Sequence, residues 1–271
     1  MGEKQMKDLY LNMQASFQRY NDCTDMLQAI YGLDKDTLYD AIIVAPSWKP
    51  EKIFVNYKAE IKVMKQGPYF CGYEVTVGRQ RFGYIQTSSC SGNIIDCCLA
   101  LGNSVCDRVI FIGAVGSLKS EIKLGDIVVP KHCIAGDGGS LYLYDKITTE
   151  NFRKHVYPDK ELTRKVLEAA GDLNIKVEEK VVYCTDTIYC EYMHLNEILS
   201  LGSELIEMET AAFFRCMELI GKKGIALLCV SDNSAANNSL IGRTEEDTYT
   251  FHKAREAYIP QLILELSRRE L

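Results

Sequence analysis

Positive charge is in short supply. The 271 residues include 31 Lys and Arg against 37 Asp and Glu, a net charge of −6, and no long basic run interleaved with aromatics occurs. That disfavours a nucleic-acid partner. It also leaves any small anion to a local basic pocket rather than to the field of the whole protein. No apolar run approaches membrane-spanning length, so no membrane association is expected. The segment Met1-Gly2-Glu3-Lys4-Gln5-Met6 has no apolar leader core and no Ser or Thr at position 6, so neither secretion nor myristoylation is expected. The eleven cysteines include no CxxC pair, and Cys97, Cys98 and Cys229 lie in apolar runs. An odd count in such settings reads as reduced, buried thiols of a cytoplasmic protein. On that reading the sequon Asn237-Asn238-Ser239 goes unused. His132, His155, His194 and His252 stand in separate segments without metal-ligand spacing, so no metal is expected. No Ser-His-Asp or Cys-His arrangement can be argued from chain order. The dinucleotide fingerprint GxGxxG and the phosphate-loop Gly-Lys-Ser/Thr are also missing.

What is present is ordinary globular composition, 47% hydrophobic and 25% charged, enough for a sizeable core. The length suits one α/β domain better than two. Residues 1–40 read as a helical N-terminal extension that packs on the domain or on a partner subunit, because Leu9, Tyr10, Met13, Phe17 and Tyr20 recur at helical spacing. Residues 41–271 read as a single domain. Ala41 to Ala45 is a short buried strand stopped by Pro46, and Pro50 marks a helix start. Strands are expected at 59–66, 69–77 and 79–86, with Gly67-Pro68 and Gly78 as turns. A helix follows from Asn93 to Leu101, then a strand over 108–112 that ends at Gly113, and a strand over 126–130. Residues 136–158 are turn-rich and read as a long irregular loop near the site. A helix at 159–171, a strand at 176–184, a helix at 209–221 and a strand at 224–231 come next. The last helix starts near Glu245 and is expected to bend near Pro260. Strands alternating with helices, with no internal repeat, point to an α/β sandwich.

Two segments carry the chemistry. Leu205-Ile206-Glu207-Met208-Glu209-Thr210-Ala211-Ala212 puts two carboxylates and a thioether between apolar stretches, and Leu228-Cys229-Val230-Ser231-Asp232-Asn233 ends an apolar strand in polar residues. A Glu accepts hydrogen bonds from two sugar hydroxyls at once, and a buried Asp at a strand end holds or shares a proton. Cleavage of a nucleoside at its glycosidic bond needs both: a grip on the ribose and an acid for the departing base. Each segment also has a structural reading. An acidic first turn suits a helix dipole, and polar residues after a strand make turns and caps. Gly113-Ala114-Val115-Gly116-Ser117 reads either as a strand-ending turn or as a tight turn that lets a ligand approach. Gly136-Asp137-Gly138-Gly139-Ser140 reads as a flexible loop sooner than as a phosphate nest.

In order and spacing these pieces resemble the nucleoside phosphorylase superfamily, the group of purine nucleoside phosphorylases, uridine phosphorylases and methylthioadenosine/adenosylhomocysteine nucleosidases. Three segments carry the resemblance: Ile112 to Leu118 with Lys123 to Val129, Ile206 to Ala212, and Val230-Ser231-Asp232. It implies a three-layer α/β/α sandwich around a central mixed, partly barrel-like sheet. It further implies that Glu209 holds the ribose 2′- and 3′-hydroxyls, that Met208 packs on the sugar, and that Asp232 is the general acid toward N7 of a purine. Thr185-Asp186-Thr187-Ile188-Tyr189 resembles the segment lining the base pocket, with Tyr189 as a wall. Glu207, Ser231, Asn233 and Gly116 are further substrate-binding candidates, and Arg243 is a candidate aid to the departing base.

The phosphate site departs from the family pattern. Where phosphorylases carry Gly-Asp-Pro-x-Arg, this chain has Ala45-Pro46-Ser47-Trp48-Lys49. A second family arginine is Phe111, the Ser or Thr after the glycine is Ala114, and the Gly-x-Gly loop is Thr87-Ser88-Ser89-Cys90-Ser91-Gly92. Bidentate guanidinium contacts are the usual grip on phosphate. Lys49 with the hydroxyls of Ser88, Ser89 and Ser91 is the available replacement. The family's nucleosidases activate water with an N-terminal Glu, and the loop 45–50 has none, Glu51 being the nearest. The expected activity is therefore phosphorolysis of a nucleoside, a purine one first, to free base and ribose 1-phosphate. No cofactor is expected beyond inorganic phosphate as co-substrate, and a homo-oligomer (dimer, trimer or hexamer) is the default assembly. The competing readings are a hydrolytic nucleosidase and a non-catalytic nucleoside-binding or storage protein.

Overall fold

The computed structural model describes residues 2–236, 238 and 240–268. Asn237 and Ser239 of the sequon lie outside them. In chain order the elements are α1 (Glu3–Gln18), β1 (Ala41–Pro46), α2 (Pro50–Ile53), β2 (Ala59–Gln66), β3 (Phe70–Val77), β4 (Gln80–Thr87), α3 (Ser91–Ala100), β5 (Arg108–Ser117), β6 (Ile127–Ala135), β7 (His155–Val156), α4 (Lys160–Asp172), β8 (Val177–Cys184), α5 (Ile188–Glu191), α6 (Leu195–Ser200), β9 (Leu205–Glu207), α7 (Thr210–Ile220), β10 (Lys223–Asn233) and α8 (Glu245–Arg268).

The strands form one mixed sheet in the order β10-β6-β8-β9-β5-β1-β4-β3-β2, and β10 also pairs with β5. That last pairing closes β5, β10, β6, β8 and β9 into a five-strand barrel, from which β1, β4, β3 and β2 run on as an open sheet. β1, β5 and β10 are buried on both faces, so both faces need cover. In β1, Ile42 and Val44 enter one core while Ala41, Ile43 and Ala45 enter the other, as the two-residue period of a strand requires. β10 divides likewise, Ala226, Leu228 and Val230 against Ile225, Leu227 and Cys229. The first core is roofed by α1, α3 and α7 through Met6, Ile94, Cys97 and Phe213, the second by α2, α4 and α8 through Ile53, Val166 and Ile263. The result is the expected three-layer α/β/α sandwich around a mixed, partly barrel-like sheet. Each fully buried Leu or Ile contributes ~1.5–3 kcal/mol to it.

The first forty residues are helical only over α1 and one π turn at Leu27–Tyr31. Met6, Leu27, Tyr31, Leu33 and Tyr39 are buried in the first core. The Tyr10 hydroxyl donates to the Leu99 carbonyl at 3.1 Å, and a guanidinium nitrogen of Arg215 lies 3.1 Å from the Met6 sulfur.

Most elements fall where the periodicity places them, and the differences have causes. β5 does not end at Gly113. Its residues 113–117 pair with β10 on one side, and Gly116 and Ser117 pair with β9 on the other. Ladder partners on both sides hold the glycine run extended, overriding its turn signal. β6 continues past Pro130, and a register shift against β8 between Pro130 and His132 absorbs the missing donor. The loop after β6 is not flexible at its start. Asp137 is fully buried and accepts from the amide and hydroxyl of Ser140 at 2.8 and 3.0 Å. A Cβ on Gly139 would stand 2.5 Å from the Ser91 hydroxyl, so this glycine serves close packing. α8 continues through Pro260. The short elements β7, β9, α5 and α6 were not expected.

No helix among the described residues is long and apolar enough to cross a membrane. All eleven cysteines are free.

Candidate active site

The carboxyl ends of β1, β5 and β10, three parallel neighbours, meet the end of β9, which runs antiparallel to β5. Ends of sheet strands are where α/β folds place ligands. Here they surround a cavity of about 240 Å³, near the lower end of the ~300–1,000 Å³ of small-molecule sites.

Asp232 reaches this cavity because β10 carries a bulge. Val230 pairs with Val115 but Asp232 pairs with Gly116, so one extra residue is inserted, and such an insertion re-aims a side chain. The carboxyl then lies against β5, where a Cβ on Gly116 would stand 2.9 Å from Asp232 Oδ2. Glycine is what leaves room for the acid. The Ser231 hydroxyl donates to Asp232 Oδ1 at 2.6 Å. Burial raises the Asp232 pKa, against a smaller lowering by that hydrogen bond and by the charge of Arg243.

Glu209 is the N-cap residue of α7. Its carboxyl accepts from the Cys90 amide at 2.7 Å and from the Met208 amide at 3.3 Å. Burial and the neighbouring Glu207 carboxyl push its pKa up to about 8. Met208 lines the cavity beside it. Glu207 borders the same cavity, but its oxygens are already occupied. It accepts from the Cys184 thiol at 2.6 Å, the Thr210 hydroxyl at 2.7 Å and the amides of Glu209 and Thr210 at 2.8 Å each. Four donors at a helix N-terminus make Glu207 the clamp that fixes Glu209, not a free ligand group.

Gly116 and Ser231 line the cavity with these groups. Asn233 does not. Its amide nitrogen donates to the carbonyls of Lys119 and Ile122 at 2.9 and 2.6 Å, and its oxygen accepts from the Ala236 amide at 3.0 Å, so it ties a loop to the strand end. Tyr189 is 92% exposed and is no wall of the pocket. In the single turn of α5, Ile188, Glu191 and the next residue, Tyr192, share the face toward the cavity, three and four positions apart as helix geometry dictates. Arg243 also lies off the lining. Its Nε donates to the Leu240 carbonyl at 3.3 Å, and its guanidinium stands 4.9 Å over the Phe251 ring.

The phosphate candidates divide. Lys49 is exposed and caps α2 from outside the cavity. The Ser88 hydroxyl is turned to the Tyr69 carbonyl at 3.1 Å. Ser91 is buried under the Gly139 loop. Ser89 lines the cavity, and Ser47, which chain order did not single out, stands with it at 3.3 Å between hydroxyls. Phe111 packs on Phe213 in the core, ring centres 5.4 Å apart. Among the described residues no Lys, Arg or His lines the cavity, whereas four carboxyls do: Glu191, Glu207, Glu209 and Asp232. Glu191 was missed because a four-residue helix has too little periodicity to be seen. The Ile188-to-Glu191 spacing was its only signal.

Fold and site together define an α/β protein with a small cavity lined by carboxyl, hydroxyl and apolar side chains at its strand ends. The chain belongs to the phosphorylase superfamily, whose family model matches residues 43–263. It is 28% identical over 134 residues to a DeoD-type purine nucleoside phosphorylase of Hahella chejuensis, covering 49% of this chain and 55% of that one. To the Photorhabdus laumondii protein of the same name it is 26% identical over 160 residues, 58% and 63% of the two chains. The matches thus span little more than half the length of these curated relatives. In fold it is similar to the crystal structure of uridine phosphorylase from Vibrio fischeri, with a TM-score of 0.71 at 17% identity over 89% of this chain and 95% of that one.

Proposed function

We propose that this protein cleaves the N-glycosidic bond of a nucleoside, a purine nucleoside in the first place, by phosphorolysis to free base and ribose 1-phosphate. The observation that carries the reading is one cavity bordered by Glu209 with Met208 and by a buried Asp232 whose pKa burial raises. Glu209 accepts from the ribose hydroxyls, and Met208 covers the sugar. As the bond to the base lengthens, positive charge grows on the sugar and negative charge on the base. Asp232 delivers its proton to the base and so stabilises the leaving group. Among the described residues the lining holds no cation to oppose the positive charge growing on the sugar. Arg243 acts on Asp232 at a distance, as a charge that tempers its pKa. The names of the curated relatives support phosphate as acceptor and purine as base. The phosphate would lie at the Ser47 and Ser89 hydroxyls, which line the cavity 3.3 Å apart.

A second reading replaces phosphate by water. It rests on the lining, which among the described residues has four carboxyls and no cation and so makes a phosphate dianion costly to admit. The experiment incubates purified protein with adenosine, inosine, guanosine, uridine and methylthioadenosine, with and without phosphate, and follows free base by chromatography. Phosphate-dependent release supports phosphorolysis, and phosphate-independent release makes the protein a nucleosidase. Binding without any release would instead make it a non-catalytic nucleoside-binding protein. Under the phosphorolytic reading, inorganic phosphate is the only added co-substrate. The free thiols fit a cytoplasmic setting, and we expect a homo-oligomer, to be read by light scattering.

A further inference from the structure

The one cavity carboxyl with no assigned task is Glu191, the last residue of α5. It is nine-tenths buried, it faces the cavity, and its carboxyl makes no hydrogen bond or ion pair among the described residues. A buried carboxyl without a partner costs several kcal/mol unless a ligand supplies one. The charged or titratable groups facing the same space are Asp232 from β10, Glu207 and Glu209 from the β9–α7 junction, and Tyr192 from the turn that follows α5. None is a cation. Glu191 and Asp232, the group proposed to serve the departing base, line the same cavity, so both face the space where the base would lie.

Resting on the glycosidic-cleavage reading, we infer that Glu191 reads the polar edge of the bound nucleobase and determines which bases are accepted. The chemistry follows from the two states of a carboxyl. The acid form donates once and accepts once, which complements a base edge with an amino group beside a bare ring nitrogen, as in adenine. The ionised form only accepts, which complements a ring N–H, alone or beside an amino group, as in hypoxanthine and guanine. Burial and the Asp232 charge push the Glu191 pKa up to about 7, so both states are populated near neutrality. Adenosine should be preferred below pH 7, and inosine and guanosine above it.

The test measures KM for base release and the equilibrium Kd for adenosine and inosine at pH 6 and pH 8. It uses wild type, Glu191→Gln and Glu191→Leu, with thermal melts to show that each variant is folded. For wild type the adenosine-to-inosine ratio of KM and of Kd should change by about tenfold between the two pH values, the worth of one mispaired buried hydrogen bond. Glu191→Gln, whose amide donates and accepts at either pH, should flatten that change. Glu191→Leu should weaken both ligands. A wild-type ratio independent of pH, an undiminished change in Glu191→Gln, or unaltered affinities in Glu191→Leu would overturn the inference. If no base is released while Kd follows the predicted pattern, base reading stands and cleavage fails, so the two failures are separable.

Discussion

Replacing Glu209 by Gln removes a carboxyl whose pKa sits at about 8 instead of 4.5. A raised acid binds its proton more tightly in the folded state than in the unfolded one. Its contribution to stability is therefore complete below pH 4.5 and is lost as pH rises to about 8. At ~1.4 kcal/mol per pH unit, the loss across that window is on the order of 5 kcal/mol. Gln avoids this loss because it never ionises. Its oxygen can still accept from the Cys90 amide at 2.7 Å, but its NH2 then faces the Met208 amide that Glu209 accepts from at 3.3 Å, at a cost of about 1 kcal/mol. The two stability curves should therefore cross. Below pH 4.5 the variant should be the weaker by about 1 kcal/mol, near pH 5 the two should be about equal, and near pH 9 the variant should be the stronger by roughly 4 kcal/mol. Asp232, Glu191 and Glu207 also have raised values through burial and tilt both curves in the same direction, so the difference between the proteins reads Glu209 together with its coupling to Glu207. Urea unfolding at unit steps from pH 4 to pH 9 reads it directly. Parallel curves would refute the argument that Glu209 is a buried, proton-retaining carboxyl held beside Glu207.

The remaining expectations are local. Gly116→Ala places a methyl 2.9 Å from Asp232 Oδ2 and should lower kcat by at least tenfold with a small change in Tm. Unchanged kcat would mean that Asp232 does not work from this position. Asp232→Asn keeps the size and removes the proton, and should lower kcat by ~10²–10⁴-fold with KM nearly constant. Because burial raises the Asp232 pKa, wild-type kcat should fall on the alkaline side, and a flat profile would argue against its acid role. Asn233→Ala removes three hydrogen bonds that hold the 119–122 loop and residue 236 and should cost about 2–3 kcal/mol in denaturant unfolding. Lys49→Ala should leave the KM for phosphate unchanged, since Lys49 lies off the cavity, whereas Ser89→Ala should raise it. The reverse order would restore Lys49 as the anion ligand.

How far the site was legible follows from length and from pairing. The long strands and helices announced themselves through apolar runs, and the buried alternation of β1 and β10 explains why. Met208, Glu209 and Asp232 were readable because each stands at the boundary of a strong element. The β10 bulge that aims Asp232, and the Gly116 that makes room for it, were not readable as such. Both depend on β5 and β10 being neighbours, which is a fact of pairing and not of local pattern. The glycine run misled for the same reason, since a turn signal is only a tendency until ladders form on both sides. Tyr189 was chosen by resemblance, and the single turn of α5 instead presents Ile188, Glu191 and Tyr192. Lys49 stands by resemblance in the position of the family arginine, but the backbone there brings Ser47 and Trp48 to the cavity. Asn233 and Glu207 have the right chemistry for ligands, and their hydrogen bonds spend it on the fold.

The most direct test of the account is free-base release from inosine and adenosine by wild type, Glu209→Gln and Asp232→Asn, with phosphate present and absent. The account predicts release by wild type and a loss of a hundredfold or more in each variant, both of them folded, the order of magnitude such sugar-gripping and acid groups supply. No release by wild type, or release undiminished in both variants, would contradict it.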